Sequence, residues 1–235
     1  MPLFYLRHLT GSKRTESANR HLARFLAFIA GAANAGGLLA VGQSTSHMSG
    51  IISAMADDIA IGGISLAFTG LGAVCAFLAG AFLTTLMVRW ARAQELESEY
   101  ALPLILESVL LVVFGLTGRV FVVGHVFLDT VVLLCFTMGL QNAIITKISD
   151  AVIRTTHLTG MVRDIGISLG RIASTWERGD NQIVDHEMTK LRLHSSLIAL
   201  FFAGGITGAL GFKHIGFLFT LPSLPCCSYL RSCPW

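Results

Sequence analysis

The sequence predicts an all-α fold: a polytopic transmembrane helical bundle of about six spans, with two short broken or re-entrant helices and an inverted internal repeat. Three observations predict it. Charged residues make up only 13% of the chain and hydrophobic residues 53%, where a soluble domain carries roughly 25% charge. The charges are confined to a few stretches, so residues 64–88 contain no Asp, Glu, Lys or Arg, a run longer than the roughly 20 apolar residues a helix needs to cross the hydrocarbon core. Finally, an Asn followed at a distance by a His–x–Ser/Thr–Gly segment occurs twice.

Taken in chain order, apolar length gives span one over 23–41, span two over 64–88, span three over 101–116, span four over 120–145 and span five over 195–212. A sixth span begins near Ile215. Basic residues precede span one, as in a signal peptide, but the apolar run is too long for one and reads as an uncleaved first span. Segments 47–63 and 157–170 have helical patterning but are short and carry charge (Asp57, Asp58; Arg163, Asp164). They read as half-helices or re-entrant pieces.

Cytoplasmic loops of membrane proteins collect Lys and Arg. With the N-terminus inside and six spans, only Arg119 and Lys213 of the 17 basic residues fall outside. Treating the two short segments as full crossings gives eight spans and a much weaker bias. The expected organisation is a cytoplasmic tail (1–20), a three-span repeat (21–118), a second three-span repeat (119–222) and an atypical tail (223–235). Both termini lie in the cytoplasm.

The repeat rests on Gly31-Ala-Ala-Asn34-Ala35 followed by Ser46-His47-Met48-Ser49-Gly50, and on Gly139-Leu-Gln-Asn142-Ala143 followed by Thr156-His157-Leu158-Thr159-Gly160. The Asn-to-His separation is 13 residues in the first and 15 in the second. An acid follows each His, Asp58 and Asp164, before Ile59-Ala-Ile-Gly62 and Ile165-Gly-Ile-Ser-Leu-Gly170. Three spans per half is an odd number, so the second half enters the bilayer inverted. Inverted repeats with broken helices frame the substrate sites of many secondary transporters, and irregular backbone at membrane depth survives only inside protein or beside a wet cavity.

Seven residues of the matched segments are candidates for substrate binding: Asn34, His47, Ser49, Asn142, Thr156, His157 and Thr159. A Ser or Thr at a helix start can cap free N–H groups, a helix N-terminus favours an anion or polar ligand, and an imidazole titrates near neutral pH. The alternatives are a capping or carbonyl-satisfying role for each His and plain interhelical hydrogen bonds for each Asn. Glu107, His125 and Asp129 are ionisable residues within spans and hence proton-relay candidates, with a solvated interface pair as the alternative for His125 and Asp129. Asp58, Arg163 and Asp164 form a candidate gate, although Arg163 and Asp164 with Arg171 read more readily as a plain surface ion pair. The span glycines, among them Gly31, Gly80, Gly204 and Gly208, are read as close-packing positions.

No Walker loop, HExxH, G-x-S-x-G or CxxC motif occurs, so neither an enzyme nor a cofactor is expected. The cysteines show no zinc-ligand spacing, and no metal site is expected. A net charge of +3 without a basic run interleaved with aromatics argues against nucleic acid. The expected partners are the lipid bilayer, an unknown small solute and, the oligomeric state being open, a second copy of the chain.

From Met138-Gly-Leu-Gln-Asn-Ala143 through Arg154-Thr-Thr-His-Leu-Thr-Gly160 to Gly170-Arg171, the chain resembles the YoaK-like family of bacterial inner-membrane proteins, domain of unknown function 1275. Ser46-His47-Met48-Ser49-Gly50 is similar to that family's His-Met-Thr-Gly-Asn hallmark, with Ser49 in place of Thr and Ile51 in place of Asn. The resemblance covers roughly residues 20–221 and implies a multi-span protein of the bacterial inner membrane. Beyond Leu221 the prolines and Cys226, Cys227 and Cys233 depart from an apolar span and resemble out-of-frame translation. The expected function is that of a secondary transporter or permease for a small solute. The alternatives are a non-transporting scaffold or sensor, and a membrane-embedded lipid enzyme, which would need an interfacial acidic cluster that the sequence does not show.

Overall fold

A computed structural model of the chain describes residues 16–41, 45–96, 98–121, 127–149, 155–176, 181–216 and 219–220. The described residues form seven α-helices and no strand: α1 Glu16–Val41, α2 Met48–Ala60, α3 Ile64–Ala93, α4 Ala101–Phe121, α5 Phe127–Ile148, α6 Leu158–Trp176 and α7 Asn181–His214. Four contain stretches long and apolar enough to cross a membrane, Ser17–Leu39, Ile64–Ala93, Asp129–Ile148 and Asn181–His214. Ala101–Leu116 of α4 is a shorter apolar stretch. An all-α, multi-pass membrane protein follows from these helices. Of the expected sixth span from Ile215 only residues 215–216 and 219–220 are described, and the 223–235 tail lies outside the described residues.

Several helices outrun their apolar windows, because an amphipathic turn extends a helix wherever a neighbour covers its apolar side. α1 begins at Glu16 rather than residue 23, since Ala18 and Leu22 are buried in the same cluster as Leu140, Ile144, Leu193 and Leu197. α6 runs on to Trp176 and α7 starts at Asn181, fourteen residues before the expected start of span five. These two extensions pack on one another. α4 continues to Phe121, past the expected boundary at 118 between the halves.

The most extensive pairings are α1 with α7 and α3 with α5, followed by α6 with α7, α2 with α3, α4 with α5 and α1 with α5. The first two are built alike. A Cβ on Gly31 would strike the Phe201 carbonyl, and one on Gly204 the Phe28 carbonyl. In the other crossing a Cβ on Gly139 would strike the Phe77 carbonyl and one on Gly80 the Phe136 carbonyl. Each helix thus offers the same Phe-x-x-Gly element, and each glycine seats its partner's backbone. With lipid tails as apolar as side chains, association depends on such close approach rather than on expulsion of water. Gly208 adds a further contact to Ala32, so the G-x-x-x-G of α7 faces α1 as its spacing predicts. Thr84 Oγ1 donates to the Leu140 carbonyl at 3.2 Å across the α3–α5 crossing.

The helix ends are closed by identifiable chemistry. α2 turns into α3 through Gly62, at φ +80°, a left-handed conformation that favours glycine. Gly63 N–H donates to Asp58 O at 2.7 Å and Gly62 N–H to Ile59 O at 3.1 Å, a Schellman closure. α3 ends the same way, with Leu96 N–H on Ala91 O at 3.0 Å, but the left-handed position is held by Glu95 at φ +53°. The last carbonyls of α5 are taken by side chains: Asn19 Nδ2 donates to Ile148 O at 3.1 Å and Tyr100 Oη to Lys147 O at 3.4 Å.

Candidate functional site

Both Asn residues of the repeated motif tether the chain just ahead of a following helix. Asn34 lies in α1, and its Oδ1 accepts from Ser46 Oγ at 3.1 Å. Asn142 lies in α5, and its Oδ1 accepts from Thr156 Oγ1. Asn142 Nδ2 is committed to its own helix through Met138 O at 2.8 Å. α1 continues seven residues beyond Asn34 and α5 six beyond Asn142, so at ~1.5 Å per residue the chain doubles back by about 10 Å before each short helix begins. Thr45, against Gly37 of α1, and Ser46, on Asn34, mark that descent.

At the start of each short helix the His backbone and ring have separate tasks. The His47 carbonyl accepts the first helical bond of α2, from Ile51 N–H at 3.1 Å, and His157 does the same for Met161 at 3.1 Å. His47 is the N-cap of α2 by position, but its side chain makes no capping bond. The imidazole lies over the glycine three residues on: a Cβ at Gly50 would meet His47 Cδ2 at 2.5 Å, and one at Gly160 would meet His157 Nδ1 and Cε1. The glycine of Ser/Thr-His-x-Ser/Thr-Gly is therefore the seat of the ring. Ser49 Oγ lies 3.5 Å from His47 Nε2, and Thr159 occupies the corresponding place in the first turn of α6. Both imidazoles are exposed at the bundle surface, as are Ser49 and Thr159.

The structure gathers Asn34, Ser46, His47 and Ser49 in one place and Asn142, Thr156, His157 and Thr159 in another. It does not merge the two sets. Gly37 of α1 lies level with Leu134 of α5, while Gln141 Nε2 reaches the Leu26 carbonyl at 3.2 Å, so the two helices run antiparallel. Asn34 and Asn142 are consequently about 10 Å apart along that shared axis, at ~1.5 Å per residue.

A family model described as "Protein of unknown function (DUF1275)" matches residues 22–230. The chain belongs to that family. No curated protein and no solved structure matches it. The DUF1275 match continues through residue 230, past Leu221, where the sequence reading ends the resemblance.

Other expected residues of this DUF1275 protein fall outside the two tethered sets. Glu107 is buried in α4 beside Gln141. Asp129 is exposed in the first turn of α5, where a carboxylate is favourable against the helix N-terminus; His125 lies outside the described residues. Asp58 stands eleven residues after His47, whereas Asp164 stands seven after His157, so the two acids differ by about one turn in register. No ion pair joins Asp58 to Arg163 among the described residues. Arg163 pairs with its neighbour Asp164 at 2.7 Å, and Arg171 turns to Glu187 at 2.9 Å.

Three features escape the sequence reading. Thr45 and Thr155, immediately ahead of the tethering Ser46 and Thr156, are 1% and 0% exposed, and neither hydroxyl has a hydrogen-bond partner among the described residues. The signal was present as a Thr at the same place in both motifs. Gln141, next to Asn142, bridges α5 to α1. Glu187, buried in the N-terminal extension of α7, accepts from Ser168 Oγ at 2.7 Å, Arg171 at 2.9 Å and Lys190 at 3.3 Å. The Ser168 hydroxyl foremost, with Arg171 and Lys190, holds its carboxyl well below the usual carboxylate range. Among the described residues no group of three or more His, Cys, Asp or Glu is placed to hold a metal ion.

Proposed function

We propose that this protein is a secondary transporter, a permease for a small polar solute, in which two inversely oriented repeats present matching broken helices to the transport path. The observation that carries the reading is the paired tether, Ser46 to Asn34 and Thr156 to Asn142. In each half a span is followed by a doubling-back of about 10 Å and a further helix, α2 of 13 residues and α6 of 19. At 13 residues, or about 20 Å, α2 is too short for a ~30 Å core, which supports a re-entrant reading.

The repeat reading draws support from the pairings. Matching α1, α2 and α3 with α5, α6 and α7 exchanges α1–α7 with α5–α3, and α2–α3 with α6–α7. The same exchange carries Gly31–Phe201 onto Gly139–Phe77 and Gly204–Phe28 onto Gly80–Phe136. We further propose six spans in the bacterial inner membrane with both ends cytoplasmic, no enzymatic activity and no cofactor.

α2 begins without a side-chain capping bond, and both α2 and α6 start beside an exposed imidazole and a buried Thr hydroxyl, a setting suited to an anion or a zwitterion. Purified protein in proteoliposomes, assayed with chloride, sulfate, phosphate, acetate, lactate and zwitterionic amino acids, should show flux of at least one class. Asn34→Ala and Asn142→Ala should each reduce that flux. Absence of both flux and ligand-induced thermal stabilisation across the panel would overturn the permease reading. The second reading, a non-transporting scaffold or sensor, is favoured by the separation of the two tethered sets and by the tight glycine crossings; it expects no flux and no effect of either Asn variant beyond stability.

A further inference from the structure

We infer that Glu107 and Gln141 form a proton-binding site inside the bundle, with Glu107 carrying the proton and Gln141 positioning it. Glu107 is 3% exposed and Gln141 fully buried. Neither carboxyl oxygen of Glu107 has a hydrogen-bond partner among the described residues, and neither does Gln141 Oε1. The amide nitrogen of Gln141 is already committed to the Leu26 carbonyl of α1. What remains between the neighbouring side chains is a set of three acceptor oxygens without a donor.

Two amide or carboxylate oxygens cannot satisfy one another, and a buried carboxylate without a cation or donor is costly. One added hydrogen resolves both defects. Protonation of the carboxylate by a proton from water makes Glu107 a donor, and the neighbouring side chain, Gln141, carries an oxygen still without one. Among the described residues the surroundings supply no competing counter-charge. Leu104, Leu106 and Leu110 of α4 pack with Leu26, Leu140 and Ile144. Among the described side chains, the charged and His residues of the adjoining helices are Arg20, His21 and Arg24 on α1, Arg89 and Arg92 on α3, and Asp129 and Lys147 on α5. None of them forms an ion pair with Glu107; Arg24 bonds Ser196 and Arg92 bonds Glu99. The site sits where α1, α4 and α5 meet, and Gln141 adjoins the Asn142 tether. A proton arriving or leaving at Glu107 therefore makes or breaks a bond one residue from Asn142, which tethers the chain ahead of α6. Only its service as the coupling proton rests on the permease reading; the binding of a proton does not.

The test is infrared absorption of purified protein in lipid nanodiscs, titrated across neutral pH. The expected result is a protonated carboxylic C=O band that disappears in Glu107→Gln and moves to higher frequency in Gln141→Leu, which removes its acceptor. Glu107→Gln should leave thermal stability unchanged or raised at neutral pH. Should Glu107→Gln fail to fold, the band shift in Gln141→Leu still decides the matter. Absence of the band at every pH, or its persistence in Glu107→Gln, overturns the inference. Stabilisation by sodium or calcium ions that Glu107→Gln abolishes, without any acid band, would make the site a cation site and overturn it equally. A band with the expected behaviour in a protein that moves no solute would leave the proton site standing and remove the permease.

Discussion

Gly139→Ala should be among the most damaging single-methyl additions available to this fold. The new Cβ would stand 2.8 Å from the Phe77 carbonyl carbon and 2.9 Å from its Cα, with the carbonyl oxygen closer still. Relief to an ordinary contact of 3.4 Å moves α3 and α5 apart by at least 0.6 Å, the difference between 3.4 and 2.8 Å. The Thr84–Leu140 hydrogen bond across the same crossing is already 3.2 Å long, and a parting of that size breaks it. Overpacking of this kind costs about 1–3 kcal/mol, and an interhelical hydrogen bond in a membrane protein contributes about 0.6 kcal/mol. The expected destabilisation is therefore roughly 2–4 kcal/mol. Reversible unfolding of purified protein in mixed micelles titrated with SDS, followed by circular dichroism, measures it. Gly80→Ala acts on the same crossing, so the Gly80→Ala/Gly139→Ala pair should cost less than the sum of its members by at least about 0.5 kcal/mol. Gly31→Ala acts on the α1–α7 crossing, and its cost should add to that of Gly139→Ala. Gly166 and Gly170 face open space and serve as controls; alanine there should be neutral or stabilise by up to about 1 kcal/mol through helix propensity. A Gly139→Ala protein as stable as the Gly166→Ala control would refute the reasoning.

Glu95→Gly relieves a left-handed residue at the end of α3 and should stabilise the protein by about 1 kcal/mol in the same unfolding assay. Asn142→Ala leaves the Thr156 hydroxyl without its acceptor and should cost about 1 kcal/mol, with Thr156→Val giving a similar loss and the double variant little more. Glu187→Gln removes the charge that Ser168, Arg171 and Lys190 converge on, and should cost about 1.5–3 kcal/mol at neutral pH. Because the Glu187 carboxyl is held below its ordinary range, its contribution is fully present above the unfolded-state pKa and is lost as pH falls through the folded one. Wild type should thus lose stability on acidification in a way that Glu187→Gln does not, as thermal melts over a pH series would show.

The apolar windows were readable because membrane spans are written in consecutive residues, and spans one to five all reappear as helices. Helix ends were less readable because they depend on what lies alongside. Nothing local to Glu16 or Asn181 says that a neighbour will cover Leu22 or Leu193. The partners of polar residues are likewise a tertiary matter. Arg171 lies two turns from Asp164 in the same helix, which makes an intrahelical pair the natural expectation, yet Glu187 from the next helix takes it. The Asn, His and Gly of each motif were legible as a recurrence, and the structure gives the recurrence a physical content in the tether and the seated ring. Gln141 was not legible, since one amide in an apolar helix carries no sign of which carbonyl it will reach. The four Phe-x-x-Gly elements lay open in the sequence, but only the crossings reveal that they pair across the chain rather than along it.

That pairing has a consequence for biosynthesis. Gly31 of α1 seats the carbonyl of Phe201, 170 residues later in the chain. At roughly 5–20 residues per second, the ribosome needs about 10–30 seconds to deliver α7 after α1 has emerged. For that interval the glycine stripe of α1 is without its final neighbour, open to lipid or to whatever helix is nearby. Completion of the bundle must therefore wait for the synthesis of α7, and a nascent chain truncated before it will present an unmatched docking groove to the membrane's quality-control proteases.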